Sequence, residues 1–428
     1  MSILFETQKL LRCNGFWVIK KNCATPKRAV IVAKSAASKG GNMINLRQGS
    51  HAYLLLRLLA VTGEIPMKIV RMLGSERSWK VLIYKMSTVQ KVRITDTDER
   101  FECRLLTIGG KGRLKTIRLH KAALPILEKI DPWAYDYYME SFGGHHFSGD
   151  ERHIDRNHRV AEVMVTCMRA GVLVYQPGHP DILGEEIQSL DPPRPYFYVG
   201  RDLKKLDVSE LNKTKFTRVV GLMVSPGECR AVYNCRDKPM EWLGRGERKA
   251  RQHLSDILMP CASHMIDTAV LFGLDMDIAY LTLEKAYKSR KYESSFHGLY
   301  SHIHFVPFDE FGIRLLRILT VRDWEEQILD MLFHPNIRIR RIMYGLGMDA
   351  YDGKNWWFSH LDGDIGRLLK LKEKLQNETS MIVDIVCFPY QQEMLMKFFG
   401  NKIRTHLVDM EDVERELGLR GDETEDDS

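Results

Sequence analysis

The sequence predicts an α+β protein, with a helical unit and hairpin near the N-terminus and a larger mixed α/β region after it. Three patterns support this. Residues 46–142 contain three short amphipathic segments, SHAYLLLRLLAVTG, PMKIVRML and SERSWKVLIYKM, followed by KVRIT and FECRLLTI around the polar DTDER. Residues 150–290 begin with a helix through NHRVAEVMVTCMRA, continue with short apolar runs at GVLVY, PYFYVG, RVVGLMV and CRAVYNC, and end with the helix RKARQHLSDIL and the strand TAVLFG. Residues 291–420 alternate strand and helix, HIHFVPF with EFGIRLLRIL, MIVDIVCF with QQEMLMKFF, and KIRTHLVDM with EDVERELG. Such alternation suggests an α/β layer with a largely parallel sheet.

Residues 1–45 form a basic arm with a strand expected at RAVIVAK. The first 48 residues hold nine Lys and Arg, from Lys9 to Arg47, against the single acid Glu6. Pro66 at a first-turn position opens the second helix. Leu73-Gly74-Ser75 is the tight turn before the third, with Ser75 as its expected N-cap. On a helix advancing about 100° per residue from Arg77, Trp79, Leu82, Ile83 and Met86 share a sector from about 140° to 240°. Arg77, Lys80, Val81, Tyr84, Lys85, Ser87 and Thr88 take the other half. This gives one apolar stripe for a core and one face of cations, hydroxyls and a phenol. The flanks of DTDER read as a hairpin, with TIRLH as a further strand.

Three helices and a hairpin are the order of a winged helix-turn-helix, whose third helix can enter a major groove. Arg77, Lys80, Tyr84 and Lys85 are the expected groove-facing residues. The hairpin tip carries Asp96, Asp98 and Glu99, which repel phosphate, so Lys91, Arg93, Arg100 and Arg104 on its stems are the expected backbone contacts. The trailing helix KAALPILEKIDPWAYDYYMESF packs its aromatics inward, and FGGHHFSGDER links it to the next part.

Composition sets the limits. The chain has 428 residues, 44% apolar and 28% charged, with net charge +7. No stretch approaches the roughly 20 apolar residues of a membrane span. The N-terminus lacks the order of a signal peptide, so a cytoplasmic location is expected. The eight cysteines show no CxxC spacing and read as reduced thiols. The tail GDETEDDS (421–428) is acidic and expected to be disordered. Without a GxGxxG or GxxxxGK[ST] run, the sequence supports no nucleotide-phosphate loop of those types.

The helix–three strands–helix–strand order after residue 150 is also the core order of the PD-(D/E)XK nucleases, in which acids and a lysine gather around a divalent ion that activates water. Glu162, Asp181 of a Pro-Asp pair, and Asp202-Leu203-Lys204 fit such a set, with Mg²⁺ as the metal if it acts. Otherwise no cofactor is expected. Pro-Asp arises about once by chance in a chain of this length. His302 and His304 in SHIHF share one strand face, a spacing that can hold a metal near a nucleophile such as Tyr287 with Lys291; a half-buried pair bonded to carbonyls is the simpler expectation. The histidines 145, 146, 153 and 158 have neither zinc-finger nor HExxH spacing. Asp352, Asp362 and Asp364 do not follow an EF-hand order, and Asp364 is expected to cap IGRLLKLKEKL.

From about residue 46 to 260 the chain resembles the winged-helix proteins of plasmids and integrative conjugative elements of Gram-positive bacteria, of the replication-relaxation type. The likeness lies in the helix-hairpin unit, RHIDRNHRVAEVMVTCMRAGVLVY, YFYVGRDLKKL, RVVGLMV and AVYNC. It implies a duplex-DNA-binding protein acting in replication, transfer or regulation of a mobile element, alone or with other proteins of such a complex. It transfers no catalytic residue. A homodimer would suit paired half-sites, although no heptad run encodes one. A metal-dependent nuclease and a non-catalytic protein-interaction module are the alternatives.

Overall fold

The computed structural model describes residues 43–143, 145, 151–206, 218–241, 245–258, 266–289, 299–339, 347–378 and 381–419. The strand expected at RAVIVAK and the tail 421–428 lie outside the described residues. At the end of the basic arm, β1 (Ile44–Leu46) runs parallel to β3 (Gln90–Ile94).

Helix α1 (His51–Thr62) starts where the Ser50 hydroxyl accepts the Tyr53 amide at 3.3 Å. It ends at Gly63, whose φ of 75° and 2.4 Å approach of a Cβ to Phe142 exclude other residues. The segment PMKIVRML, expected to be α-helical, is a 3-10 helix over Met67–Leu73, preceded by the unexpected strand β2 (Glu64–Pro66). The Met67 amide donates to Lys115 O at 2.8 Å, and seven residues between Pro66 and Gly74 are few for a cooperative α-helix.

Helix α2 (Glu76–Met86) buries Trp79, Ile83 and Met86 and half-buries Leu82, as its periodicity requires. The Trp79 indole donates to Leu73 O at 3.1 Å and closes the preceding turn. Ser75 holds the N-cap position, but its hydroxyl accepts from the Ser78 hydroxyl at 3.2 Å and caps no amide.

Two hairpins follow, not one. β3 pairs antiparallel with β4 (Arg100–Cys103). FECRLLTI, expected as one strand, breaks after Cys103, and its second half, β5 (Leu106–Gly109), pairs with β6 (Thr116–Leu119). β6 also pairs with β2, giving a separate three-stranded sheet. The break has a local cause: Leu105 is fully buried and its amide donates to Met86 O at 3.0 Å, pinning the chain to the end of α2.

The trailing helix is two helices, α3 (Leu124–Ile130) and α4 (Pro132–Ser141), split at Asp131-Pro132. Pro132 has no amide hydrogen with which to continue α3. Asp131 caps the Ala134 amide at 3.0 Å, accepts the Tyr53 phenol at 2.8 Å and pairs with Arg57 at 3.1 Å.

The larger region is built on a five-stranded mixed sheet: β7 (Tyr196–Val199), β8 (Val219–Ser225), β9 (Glu228–Arg236), β10 (Thr268–Gly273) and β11 (His302–Pro307), in sequence order. β8 is antiparallel to both its neighbours, and β9, β10 and β11 are parallel. GVLVY is not a strand. It contributes one bridge, Leu173 to Tyr196, before the chain leaves the sheet edge. Alternate side chains enter opposite layers: Phe197, Val199, Val232, Val270 and Phe272 face one core, and Tyr196, Tyr198, Tyr233, Ala269 and Leu271 the other. A second sheet holds β12 (Ala350–Tyr351) antiparallel to β13 (Trp356–Ser359), with β14 (Val383–Cys387) and β15 (Ile403–Leu407) parallel to β13.

The long helix α5 (Glu151–Arg169) joins the regions. Val160–Cys167 are buried on every side, against α1, β2 and the 3-10 helix on one flank and β7, β8 and β9 on the other. Glu162, expected as a metal ligand, is instead an ionic hub. It accepts from Arg236 Nε at 3.0 Å and Asn234 Nδ2 at 3.1 Å in the sheet, and Lys68 of the 3-10 helix lies 3.5 Å away. Arg236 reaches it because β9 bulges at Cys235 and Arg236 takes φ 58°, a conformation costing about 1–2 kcal/mol. Asp155, one helical stretch earlier, holds the same guanidinium at 2.7 Å. Removing a carboxylate from such a buried network leaves cations and an amide uncompensated. Glu162→Ala is expected to destabilise the protein by about 3 kcal/mol in urea unfolding, whereas Asp181→Ala, at an exposed loop, stays within about 0.5 kcal/mol.

Candidate nucleic-acid interface

The outward face of α2 is open to solvent. Arg77 and Tyr84 are exposed, Tyr84 by 46%, and Lys85 is half-exposed. Val81 on the same face is 63% exposed, so this side of the helix is largely open. Lys80 is less available than expected, because Glu76 one turn earlier holds its ammonium at 2.5 Å.

The stem cations of the first hairpin divide. Asp98 binds Arg93 at 2.5 Å and lies 3.8 Å from Arg100, while Glu99 pairs with Lys129. Asp98 therefore neutralises two of this hairpin's own cations, and Glu99 one of α3. Lys91 and Arg104 are exposed, and neither has an ion pair among the described residues.

The more basic loop belongs to the second hairpin, which the sequence reading passed over. Between β5 and β6 runs GKGRLK, residues 110–115, containing Lys111, Arg113 and Lys115 and no acid. Gly110, at φ 70°, allows its turn: a Cβ there would lie 2.3 Å from Leu114 O. Lys115 extends onto α2, donating to the Tyr84 hydroxyl at 3.2 Å with its ammonium 5.6 Å from the ring centre. The exposed face of α2 and this loop are thus in direct contact. Glycine and lysine between two alternating apolar tetrads were the available signal.

The proposed nuclease residues do not gather. Asp181 and Asp202 line a cavity of about 490 Å³ with Trp133 and Tyr198, Lys204 lines a different one, and Glu162 lies in the hub described above. Asp181 accepts the Leu183 amide at 3.0 Å, closing its own loop. Asp202 accepts the Tyr137 phenol at 3.1 Å, and burial raises its pKa despite that bond.

His302 and His304 do share a strand face, with nearly parallel rings 6.4 Å apart. Each is fixed at Nδ1, His302 by the Asp364 carboxylate at 2.8 Å and His304 by the Asp362 carbonyl at 2.9 Å. Asp364 also accepts the Gly366 and Arg367 amides, the expected cap of the helix Ile365–Asn377. Tyr287 packs edge-on against Phe398, and Lys291 lies outside the described residues. Among the described residues no group of three His, Cys, Asp or Glu side chains is arranged to hold a metal ion, and no helix is long and apolar enough to cross a membrane.

Compared with protein-family models, curated proteins and solved structures, the chain matches none.

The hydrogen bond to Asp364 holds the His302 pKa above its ordinary value, against the opposing effect of burial. A raised folded pKa means that the charged pair stabilises the fold fully below the unfolded value of about 6.5 and loses that contribution as pH rises through the folded value. His302→Asn should therefore lower the urea midpoint more at pH 5.5 than at pH 8.5; an equal loss at both would show that the pair carries no charge-dependent stability.

Proposed function

We propose that the chain binds duplex DNA as a winged helix-turn-helix protein, with α2 in the major groove and the loop 110–115 on the adjacent backbone. The Lys115–Tyr84 contact carries this reading, because it joins an exposed cationic helix face to a glycine-rich basic loop in one surface. Arg77 and Lys85 extend from the same helix face. Each guanidinium aimed at a guanine edge contributes about 1–3 kcal/mol of discrimination, while lysines on phosphate act on every sequence alike.

The replication-relaxation resemblance adds the setting: a cytoplasmic protein of a plasmid or conjugative element, acting in replication, transfer or regulation. The α/β region then serves as a platform for protein partners or for further contact with DNA.

A metal-dependent nuclease remains the second reading, favoured by one observation. The order α5, β7, β8, β9, α6 (Arg245–Leu258) and β10, with short helices at Glu185–Gln188 and Gly200–Leu203 between the first members, resembles the helix–three strands–helix–strand order of the PD-(D/E)XK core. The dispersal of Glu162, Asp181, Asp202 and Lys204 weighs against catalysis by that set. Nicking of supercoiled plasmid with Mg²⁺, lost in Asp202→Ala, would restore it.

Fluorescence anisotropy on random duplex against salt tests the DNA reading. Affinity should fall steeply with salt, and Lys111→Ala with Lys115→Ala should reduce the log–log slope by about 0.9 for each phosphate contact removed. A flat salt response, or a slope unchanged in the variant, would exclude these contacts. Asp98→Asn, which releases Arg93 and Arg100 and suits the positive φ of 54° at that position, should tighten binding to every sequence while leaving stability within about 0.5 kcal/mol; unchanged binding would mean that the first hairpin faces away from DNA.

A further inference from the structure

A cavity of about 390 Å³ opens where α5 meets the end of β7, away from α2 and the basic loop in the residues that form it. Its floor is apolar, made by Phe142, Val199 and Val220. Its rim carries Arg156, Arg201 and Lys204, with Asn157 between them and His153 alongside. The Ser141 hydroxyl also lines this space, buried and without a hydrogen-bond partner among the described residues.

The rim is unusual in charge. Glu64 is the one carboxylate among the described lining residues, and it is buried and bonded to His158 at 3.2 Å. Arg156 is exposed and has no ion pair among the described residues. Arg201 is held in place, its guanidinium 4.6 Å from the Phe142 ring centre and hydrogen-bonded to Asn157 Oδ1 and Val61 O at 3.4 Å each. Partial desolvation, with the charges of Arg156 and Arg201, lowers the pKa of Lys204 to about 8. Arg156 and Arg201 lie near enough to Lys204 to disfavour its charged form, so the three cations border one space over an apolar floor, where an anion would be favoured.

We propose that this cavity binds a small phosphorylated organic ligand of nucleotide size, its phosphate among Arg156, Arg201 and Lys204 and its less polar body over Phe142, Val199 and Val220. The volume lies within the range of about 300–1,000 Å³ usual for small-molecule sites. Two guanidiniums suit a phosphate because each presents paired N–H donors to its oxygens. The fixed position of Arg201 limits the ordering cost of binding. The site is independent of the DNA reading, since none of its lining residues belongs to α2 or to either hairpin.

Isothermal titration calorimetry on the full-length chain tests it, with adenosine monophosphate, adenosine triphosphate, inorganic phosphate and a short single-stranded oligonucleotide as probes. At least one of the two nucleotides should bind with one site per chain and more tightly than inorganic phosphate. Arg156→Ala alters a solvent-exposed side chain and should keep the wild-type circular dichroism and unfolding midpoint, and Lys204→Gln should keep the wild-type circular dichroism. Each should weaken the nucleotide by about tenfold or more, equivalent to about 1.4 kcal/mol, while leaving random-duplex affinity unchanged. The proposal is overturned if folded wild-type protein gives no binding heat with either nucleotide, if the variants bind as wild type does, or if only the oligonucleotide binds.

Discussion

Helix α5 packs against the N-terminal unit and the five-stranded sheet at once, within one continuous core, and the Glu162 carboxylate is where that constraint becomes specific. A helix buried on every side along Val160–Cys167 contributes apolar area without direction, because apolar contacts alone would permit it to slide or rotate. The bonds from Glu162 to Arg236 and Asn234, with Lys68 on the opposite flank, remove that freedom. They register the sheet and the N-terminal unit against the same turn of α5. The left-handed Arg236 and the bulge beside it are the local distortions this registration requires. Removing any one partner would leave others charged and desolvated, which is why a hub of this kind specifies one arrangement more than it adds net stability.

Charge elsewhere is divided between surfaces that are internally balanced and surfaces that are not. In the first hairpin Asp98 pairs with Arg93 and Arg100, and Glu99 pairs with Lys129 of α3. In the buried cluster under the second sheet, Arg367 binds Asp349 at 2.9 Å and lies 3.6 Å from Asp362. By contrast, α2 and the loop 110–115 present cations and a phenol with few acids. An unbalanced cationic surface is poor internal cement and a good counterpart for a polyanion. The rim of the α5–β7 cavity places Arg156, Arg201 and Lys204 near apolar side chains.

The difference between expected and observed elements follows the range of the forces involved. The helices α1, α2, α5, α6 and α7 (Glu310–Leu319), and the strands β7 to β11, were legible because each has its own apolar period and its own bounding turn residues. Misreadings occurred where a distant partner decides. PMKIVRML has a helical pattern, but it is confined to seven residues between Pro66, whose strand β2 pairs with β6, and Gly74, and it forms a 3-10 helix. FECRLLTI has one continuous strand pattern, but burial of Leu105 beneath α2 divides it between two sheets. GVLVY has β-propensity and finds only one bridge at the sheet edge.

For the candidate sites the division is similar. The sequence by itself determined the two faces of α2, since a 3.6-residue period separates Trp79, Ile83 and Met86 from Arg77, Tyr84 and Lys85 whatever surrounds the helix. It also determined the alternation that sends successive side chains of the central strands into opposite cores. Tertiary structure alone decided which hairpin loop touches that helix face, which cations the protein neutralises for itself, and that Glu162 serves as a tie between layers. Those outcomes depend on groups separated by tens of residues coming within hydrogen-bonding distance, and local periodicity contains no term for such pairings.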